Sequence, residues 1–564
     1  MAPKSEEKVA QIIVDSLYNA GVRVVFGIPG AKVDSIFDTL SDHPEIKLIV
    51  CRHEQNAAFM AAATGRITGI PGVCIATSGP GAGNLTTGLV TATTEGDPVV
   101  AIVGSVPRML NTKHTHQSMK ALDILGPTSK SAMNIDVEDV AAEIILAAFR
   151  TATTSPKGSA VINLPMDIAS GKSKIVAFQP SAFKAPLYGP APPESVRKVA
   201  RMLESAKRPV LFLGQRASSH IVVEALHEFL AKHKVAVVET FQAAGAISEE
   251  LAPSVFFGRV GLFRNQIGDR LLQNSDCIIT LGYDPTEYEA TAWNPSSTLP
   301  IVHVDYTSCE FGSHYHPDIE LLGSVRETIR ALAAEVSHVN SPDNDDFCKG
   351  LQQEAKDQIQ SMQVTKAAPG ARVHPLQFVA ALQSRVSPST TVTCDVGTVY
   401  IYIMRHFRAY QPRRLLCSNG QQTLGVGMPW AIAASLSQSP PCSAKVVSLS
   451  GDGGFMFSSQ ELSTAVQQRC NITHFIWNDE AFNMVEFQEE MKYGRSSGIA
   501  LGGVDFVKLA EAFGAKGFRV HEASELESVM EEALAYEGVA LVDVRIDYSQ
   551  AKDLAGNLLQ DSVG

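Results

Sequence analysis

Short Val/Ile-rich runs that end in Gly, Ser or Asp and are followed by helical patterns recur along all 564 residues. Val99-Val-Ala-Ile-Val-Gly, Val210-Leu-Phe-Leu-Gly, Ile301-Val-His-Val-Asp and Val446-Val-Ser-Leu-Ser-Gly-Asp are examples. Strands without polar alternation are buried on both faces, so strand–helix repetition of this kind predicts parallel sheets covered by helices. Two turn-rich stretches interrupt the pattern. One is Lys172–Glu194, with five prolines; the other runs from about His338 to Pro375, opening on Ser341-Pro-Asp-Asn-Asp-Asp and ending in Ala368-Pro-Gly. Read as linkers, they leave blocks of about 175, 150 and 180 residues, each an ordinary domain size. The expected fold is α/β with three doubly wound parallel-sheet domains over 1–175, 190–340 and 368–555. Such sheets bind ligands outside the carboxyl ends of their strands, so the chemistry is sought there.

Composition removes several function classes. Lys and Arg number 47 against 59 Asp and Glu, a net charge of −12, which argues against a nucleic-acid binder. No apolar run approaches the ~18–20 residues that span a bilayer, so no membrane partner is expected. The N-terminus has neither a signal-peptide core nor an Arg-rich, acid-poor presequence, and the nine cysteines include no CxxC pair. A cytoplasmic location is the expectation.

The densest chemistry lies in the third block. Gly451-Asp452-Gly453-Gly454 closes the strand Lys445–Ser450, a helical segment Ser458–Gln468 follows, and the next apolar strand, Ile472–Trp477, ends at Asn478-Asp479. Twenty-four residues separate Gly453 from Asn478, the length of one strand–helix–strand crossover. That crossover can place Asp452 and Asp479 at neighbouring strand ends. Each aspartate alone could be a turn cap; together they suit Mg²⁺ holding a diphosphate, because hard cations prefer oxygen ligands. In the first block, Glu54 of Arg52-His-Glu opens an Ala-rich helix, where an acidic first-turn residue would also suit the helix dipole. The glycines of Thr77-Ser-Gly-Pro-Gly-Ala-Gly-Asn84 give a weak dinucleotide-like signal, and a dehydrogenase reading would need an acid ~20 residues on, where only Asp97 before Pro98 is available. Gly27-Ile-Pro-Gly-Ala-Lys32 does not satisfy the phosphate-loop spacing.

Gly-Asp-Gly followed at this distance by Asn-Asp resembles the thiamine-diphosphate signature of the pyruvate oxidase and acetohydroxyacid synthase superfamily, with Asp479 where the family usually carries a second Asn. The resemblance implies Mg²⁺ bound by Asp452, Asp479 and the main-chain carbonyl of Ala481, with Gly453 and Gly454 beside the cofactor. It implies that Glu54 bonds N1′ of the cofactor's pyrimidine, a role open to a carboxyl that burial keeps protonated at neutral pH. Pro29 and Gly30 would form the turn beside the pyrimidine, and Asn84 would face the cofactor. Gln117, otherwise a residue of a polar turn, would help position substrate. Val396, Gly397 and Thr398 would touch the diphosphate. Gln422 and Leu424 fall in the loop that wedges the cofactor into a bent shape; a Met is usual at the Leu424 position, which core packing would also explain. The matching segments run from about Val9 to Asp547.

Within that superfamily, Phe257–Arg270, Gly282–Glu289 with Trp293, Ser418–Gln422 and Asn483–Glu490 look like the catabolic, flavin-independent acetolactate synthases. Tyr283–Tyr288 lacks the arginines of the biosynthetic branch, so FAD is not expected. Gln488 falls where that branch selects its second keto acid, although surface polarity would also account for it. The implied reaction decarboxylates one pyruvate and joins the hydroxyethyl unit to a second, giving 2-acetolactate. The implied assembly is a homodimer or homotetramer whose subunits share each active site. Another keto-acid decarboxylase or carboligase, a flavin-containing synthase and a non-catalytic regulatory paralogue are the alternatives.

Overall fold

A computed structural model of the chain describes residues 6–262, 266–364 and 370–549. The first five residues, 263–265 of the Phe257–Arg270 segment, 365–369 of the second predicted linker and 550–555 of the third block lie outside the described residues.

Three six-stranded sheets form the frame, and every registered pair within them is parallel. The first lies in the order Lys47–Val50, Val24–Gly27, Gly72–Ala76, Val99–Ser105, Ser159–Pro165, Ser131–Asn134. The third lies in the order Leu415–Cys417, Thr391–Cys394, Val446–Gly451, Ile472–Asn478, Val539–Arg545, Lys516–Val520. With each sheet's strands counted in chain order, both read 2-1-3-4-6-5. The middle sheet reads 3-2-1-4-5-6, from Phe256–Val260 through Ala236–Thr240, Pro209–Leu213, Cys277–Leu281 and Ile301–Asp305 to Ile319–Leu322. Each sheet therefore has a topological switch point, between strands 1 and 3 in the outer sheets and between 1 and 4 in the middle one. A crevice opens there because the connecting loops diverge to opposite faces.

Burial explains the absence of alternation in the strands: Val99–Ser105, Pro209–Leu213 and Ile472–Asn478 are buried at every residue. The outer domains share one hydrophobic core. Helix Glu54–Thr68, with five buried alanines, packs against helix Gly427–Leu436, which is buried along its whole length. Small side chains on the first helix let the two approach closely enough to exclude water.

The second predicted linker differs from expectation. Helix Asp346–Val364 occupies most of it, following the turn Pro342–Asn344. Gln, Glu, Lys, Leu and Met in this stretch are good helix formers, and Cys348, Leu351 and Met362 bury an apolar stripe. In the first linker, Lys172–Ser173 pairs antiparallel with Glu7–Lys8, and Pro193 opens the next helix at a position where its missing N–H costs nothing.

Candidate functional site

At the switch point of the third sheet, strands 1, 3 and 4 are successive neighbours, so their carboxyl ends bring three loops together. These loops begin at Asp395, Asp452 and Asp479. Asp452 is buried, its Oδ1 accepting the Gly453 N–H at 2.9 Å and its Oδ2 the Glu480 N–H at 2.8 Å. Burial pushes its carboxyl up to about 6. Burial, then the neighbouring Asp452 charge, pushes Asp479 up to about 7. Two desolvated carboxyls, one raised further by the other, are a donor set that a divalent cation would relieve. Gly453 must lack a side chain, because a Cβ there would lie 2.5 Å from the Phe482 ring. The chain at Ala481 bridges Ala500, with Phe482 N–H on Ile499 O at 2.9 Å and Leu501 N–H on Glu480 O at 3.0 Å. Neither bond uses the Ala481 carbonyl. The oxygen-only donors and the glycine-lined approach fit a magnesium diphosphate.

Val396, Gly397 and Thr398 are half-buried at the lip of this crevice, and Thr398 Oγ1 donates to Asn483 Oδ1 at 2.9 Å. Leu424 is half-buried; Gln422 is exposed at φ 47°. Gln488 is exposed on helix Asn483–Tyr493. Asp395 turns away from the lip. Its carboxyl accepts N–H bonds from Val396 at 2.8 Å and Gly425 at 2.9 Å, so it holds the Leu424 loop in place. Burial pushes it up to about 7 against those bonds.

The first sheet presents the equivalent crevice. Strand 1 ends in Ile28-Pro29-Gly30, strand 3 in Thr77-Ser78-Gly79, and strand 2 leads into Glu54. Glu54 is 8% exposed, and its Oε2 accepts the Asn84 amide at 2.9 Å. A Cβ on Gly81 would come within 3.2 Å of Oε1, so glycine keeps that oxygen's approach open. The buried Thr77 and Ser78 hydroxyls have no hydrogen-bond partner. Buried polar groups are nearly always satisfied, so two orphans beside Glu54 fit a polar heterocycle. Gly30 packs on Thr77, and Gln117, at φ 58°, lies against Gly79.

The structure thus gathers Pro29, Gly30, Glu54, Asn84 and Gln117 at one crevice. It gathers Val396, Gly397, Thr398, Asp452, Gly453, Gly454, Asp479 and Ala481 at the other. Among the described residues, no hydrogen bond or ion pair joins the Glu54–Asn84 pair to the Asp452–Asp479 pair.

Glu461 escaped the sequence reading. It is fully buried, and its Oε1 accepts the N–H groups of Arg52 at 2.8 Å and His53 at 3.1 Å and the Asn56 amide at 3.1 Å. A carboxylate from the third domain therefore caps the helix that begins at Glu54. Its one signal in the sequence, an acidic residue at a helix start, is too common to mark it.

The middle crevice is filled by its own side chains. Glu287, fully buried, accepts the Gln215 N–H at 2.9 Å, the Asp284 N–H at 3.1 Å and the Thr240 hydroxyl at 2.6 Å. Arg216 pairs with Asp305 at 2.6 Å and Asp284 at 3.1 Å. Tyr283 and Trp293 pack on Phe212 beneath them. Asp97 is likewise committed, in a two-pronged pair with Arg66 at 2.7 Å on each oxygen, and does not face the Thr77–Asn84 loop as a ribose ligand would.

Family comparison matches three models to the chain: the thiamine pyrophosphate enzyme N-terminal binding domain over residues 7–124, the central domain over 196–332 and the C-terminal binding domain over 395–544. An acetolactate synthase of Bacillus subtilis is 42% identical over 561 residues, covering 98% of this chain and 96% of that protein. A catabolic acetolactate synthase of Raoultella terrigena is 44% identical over 553 residues, 97% of each. The acetolactate synthase isozyme 1 large subunit of Escherichia coli is 29% identical, covering 95% of this chain and 94% of its own.

Proposed function

The chain belongs to the thiamine pyrophosphate enzymes, and from that membership we propose that it is an acetolactate synthase of the catabolic type, converting two pyruvates to 2-acetolactate and CO₂. The relatives that share over 40% of its residues across nearly the whole chain carry that activity in their names. The structural observation that supports it is the pair of like-ordered outer sheets, one offering a buried carboxyl and the other two facing carboxyls. Supplied with pyruvate, thiamine diphosphate and Mg²⁺, the purified protein is expected to accumulate acetolactate. Acetaldehyde without acetolactate would overturn the assignment.

Thiamine diphosphate, when bound, supplies the nucleophilic carbon and the electron sink for decarboxylation. The protein's part is to orient and to move protons. Glu54 exchanges a proton through Oε1, while Asn84 fixes Oε2 and hence the carboxyl plane. Pro29, Gly30 and the Thr77 and Ser78 hydroxyls shape that half. Asp452, Asp479 and the Ala481 carbonyl hold Mg²⁺, with Gly453, Gly454, Val396, Gly397 and Thr398 on the diphosphate side. Leu424 and Gln422 form the wedge, and Gln117 and Gln488 face the two keto acids. The proposed assembly is a homodimer or homotetramer in which each subunit completes its partner's site; among the described residues no hydrogen bond or ion pair joins Glu54 and Asn84 to Asp452 and Asp479 within one chain. We assign the domains to 1–175 (pyrimidine-binding), 190–340 (central) and 368–555 (diphosphate-binding). No described helix is long and apolar enough to cross a membrane; a cytoplasmic location is part of the proposal.

FAD is not part of the proposed enzyme. In an open α/β sheet a dinucleotide's phosphates would sit at the switch-point amides, and here the Glu287 carboxyl takes the Gln215 and Asp284 N–H groups. Burial pushes Glu287 up to about 8 from an ordinary value of 4.5. A raised carboxyl binds its proton more tightly folded than unfolded. Its contribution to stability is therefore full below about 4.5 and is lost as pH rises through about 8. Glu287→Gln has no such proton to lose. Melting temperatures measured from pH 5 to pH 8 are expected to shift in the variant's favour relative to the parent as pH rises. A constant difference would refute the assignment of that proton.

A further inference from the structure

Cys442 and Cys470 share a cavity of about 520 Å³ with Ser443, Asn471, Gly538 and Val539. These residues precede or begin strands Val446–Gly451, Ile472–Asn478 and Val539–Arg545, so the cavity lies at the amino ends of the third sheet, opposite the carboxyl-end crevice. Ser435 joins the two cysteine-bearing loops: its carbonyl accepts the Cys442 N–H at 2.8 Å and its hydroxyl the Asn471 N–H at 3.4 Å. Cys442 is half-buried at φ 60°, while Cys470 is fully buried behind it. The Cys442 thiol donates to the Gln468 carbonyl at 3.8 Å, two residues before Cys470, so the two thiols line one wall of the cavity.

The nine cysteines are all free thiols, but they are not alike. Burial raises Cys74, Cys277, Cys309, Cys348 and Cys417 to about 12, and Cys51 and Cys394 well above the usual range. Cys442 and Cys470 shift as a pair: Cys442, the more exposed, moves down chiefly through the neighbouring Cys470 thiol against burial, with help from Ser435 and the Lys47 charge, and Cys470 moves up. A partly exposed thiolate beside a second thiol is the arrangement of a nucleophile with its resolving partner. The cavity volume falls within the ~300–1,000 Å³ typical of small-molecule sites.

We propose that Cys442 and Cys470 form a thiol–disulfide exchange site for low-molecular-weight disulfides, with Cys442 attacking and Cys470 resolving. The Cys442 thiolate bonds one sulfur of the small disulfide, and the other sulfur leaves as a thiolate that takes the Cys470 proton. The Cys470 thiolate then bonds the Cys442 sulfur and expels the second small thiolate, which is protonated by solvent. Two protein thiols are oxidised to one disulfide, and one small disulfide is reduced to two thiols.

The test treats the intact holoenzyme with glutathione disulfide at neutral pH, blocks the remaining thiols and maps peptides by mass. A Cys442–Cys470 crosslink reversed by dithiothreitol is expected. Cys470→Ser should instead accumulate a glutathione adduct on Cys442, and Cys442→Ser should show neither product. In the untreated protein, iodoacetamide should alkylate Cys442 at least about tenfold faster than Cys309, following thiolate content. Equal alkylation of the two, or the absence of a Cys442–Cys470 crosslink in the treated parent protein, would overturn the site. A persistent adduct on Cys442 in the parent protein would overturn the resolving role of Cys470.

Discussion

Glu54→Gln is expected to lower kcat for acetolactate formation by about 10²–10⁴-fold, the range spanned by removal of a positioned acid–base group. Glutamine has the same shape, keeps an oxygen for the Asn84 amide 2.9 Å away and adds no volume against Gly81. It cannot give or take the proton. The carboxyl stands at the start of helix Glu54–Thr68, whose first turn is also held by Glu461, so the fold does not depend on its charge. Melting should therefore remain close to that of the parent, and thiamine diphosphate should still bind, which calorimetric titration would measure. Unchanged turnover would remove Glu54 from the chemistry. Turnover lost together with the fold would make its role structural.

Arg66→Met is expected to be the most damaging change away from the site, costing about 3–5 kcal/mol of stability, as removal of one member of a buried ion pair does. Arg66 is 5% exposed, and Asp97 and Glu95 beside it are fully buried. Its guanidinium bonds both Asp97 oxygens and the Cys417 carbonyl at 2.7 Å and lies over the Trp430 ring. Glu95 extends the contact: its Oε1 accepts Ser418, Asn419 and Gly420 donors, and its Oε2 accepts the Gln242 amide at 2.6 Å. One cluster thus ties all three domains. Burial already pushes Asp97 up to about 6 even against Arg66, and losing the cation would raise it further. A raised carboxyl destabilises as pH climbs through its folded value, so the deficit should be smaller at pH 5 than at pH 8. Thermal melting at both values checks the sign. Arg66→Met with Asp97→Leu should recover part of the loss, since an apolar pair leaves one fewer buried charge unpaired.

Much of the candidate site is legible in the chain because its residues sit next to strand ends that burial makes conspicuous. Asp452 and Asp479 close largely apolar runs, and one crossover length is enough to set them side by side. Glu54 follows a strand and opens an Ala-rich helix. Asp395 is marked in the same way, at the end of Thr391–Cys394, but its loop-holding role is not, and Glu461 carries no comparable mark. Their roles depend on Gly425 and on Arg52, His53 and Asn56, which lie 30 and about 400 residues away. The helix Asp346–Val364 was hidden for a different reason: the prolines and clustered polar residues at its two ends resemble a linker, although the stretch between them favours a helix.

By itself, the sequence determined the α/β class, the strand-end positions of the acidic residues and the resemblance to thiamine-diphosphate enzymes. Each follows from local pattern, where hydrophobic period and turn residues act within a few positions. Tertiary structure alone decided the strand orders, 2-1-3-4-6-5 outside and 3-2-1-4-5-6 in the middle. It also decided that Glu287, Arg216 and Tyr283 fill the central crevice. All three sheets are built from similar apolar strands, and which strands become neighbours is settled by how the connecting helices pack over the faces. Local patterning does not encode that choice.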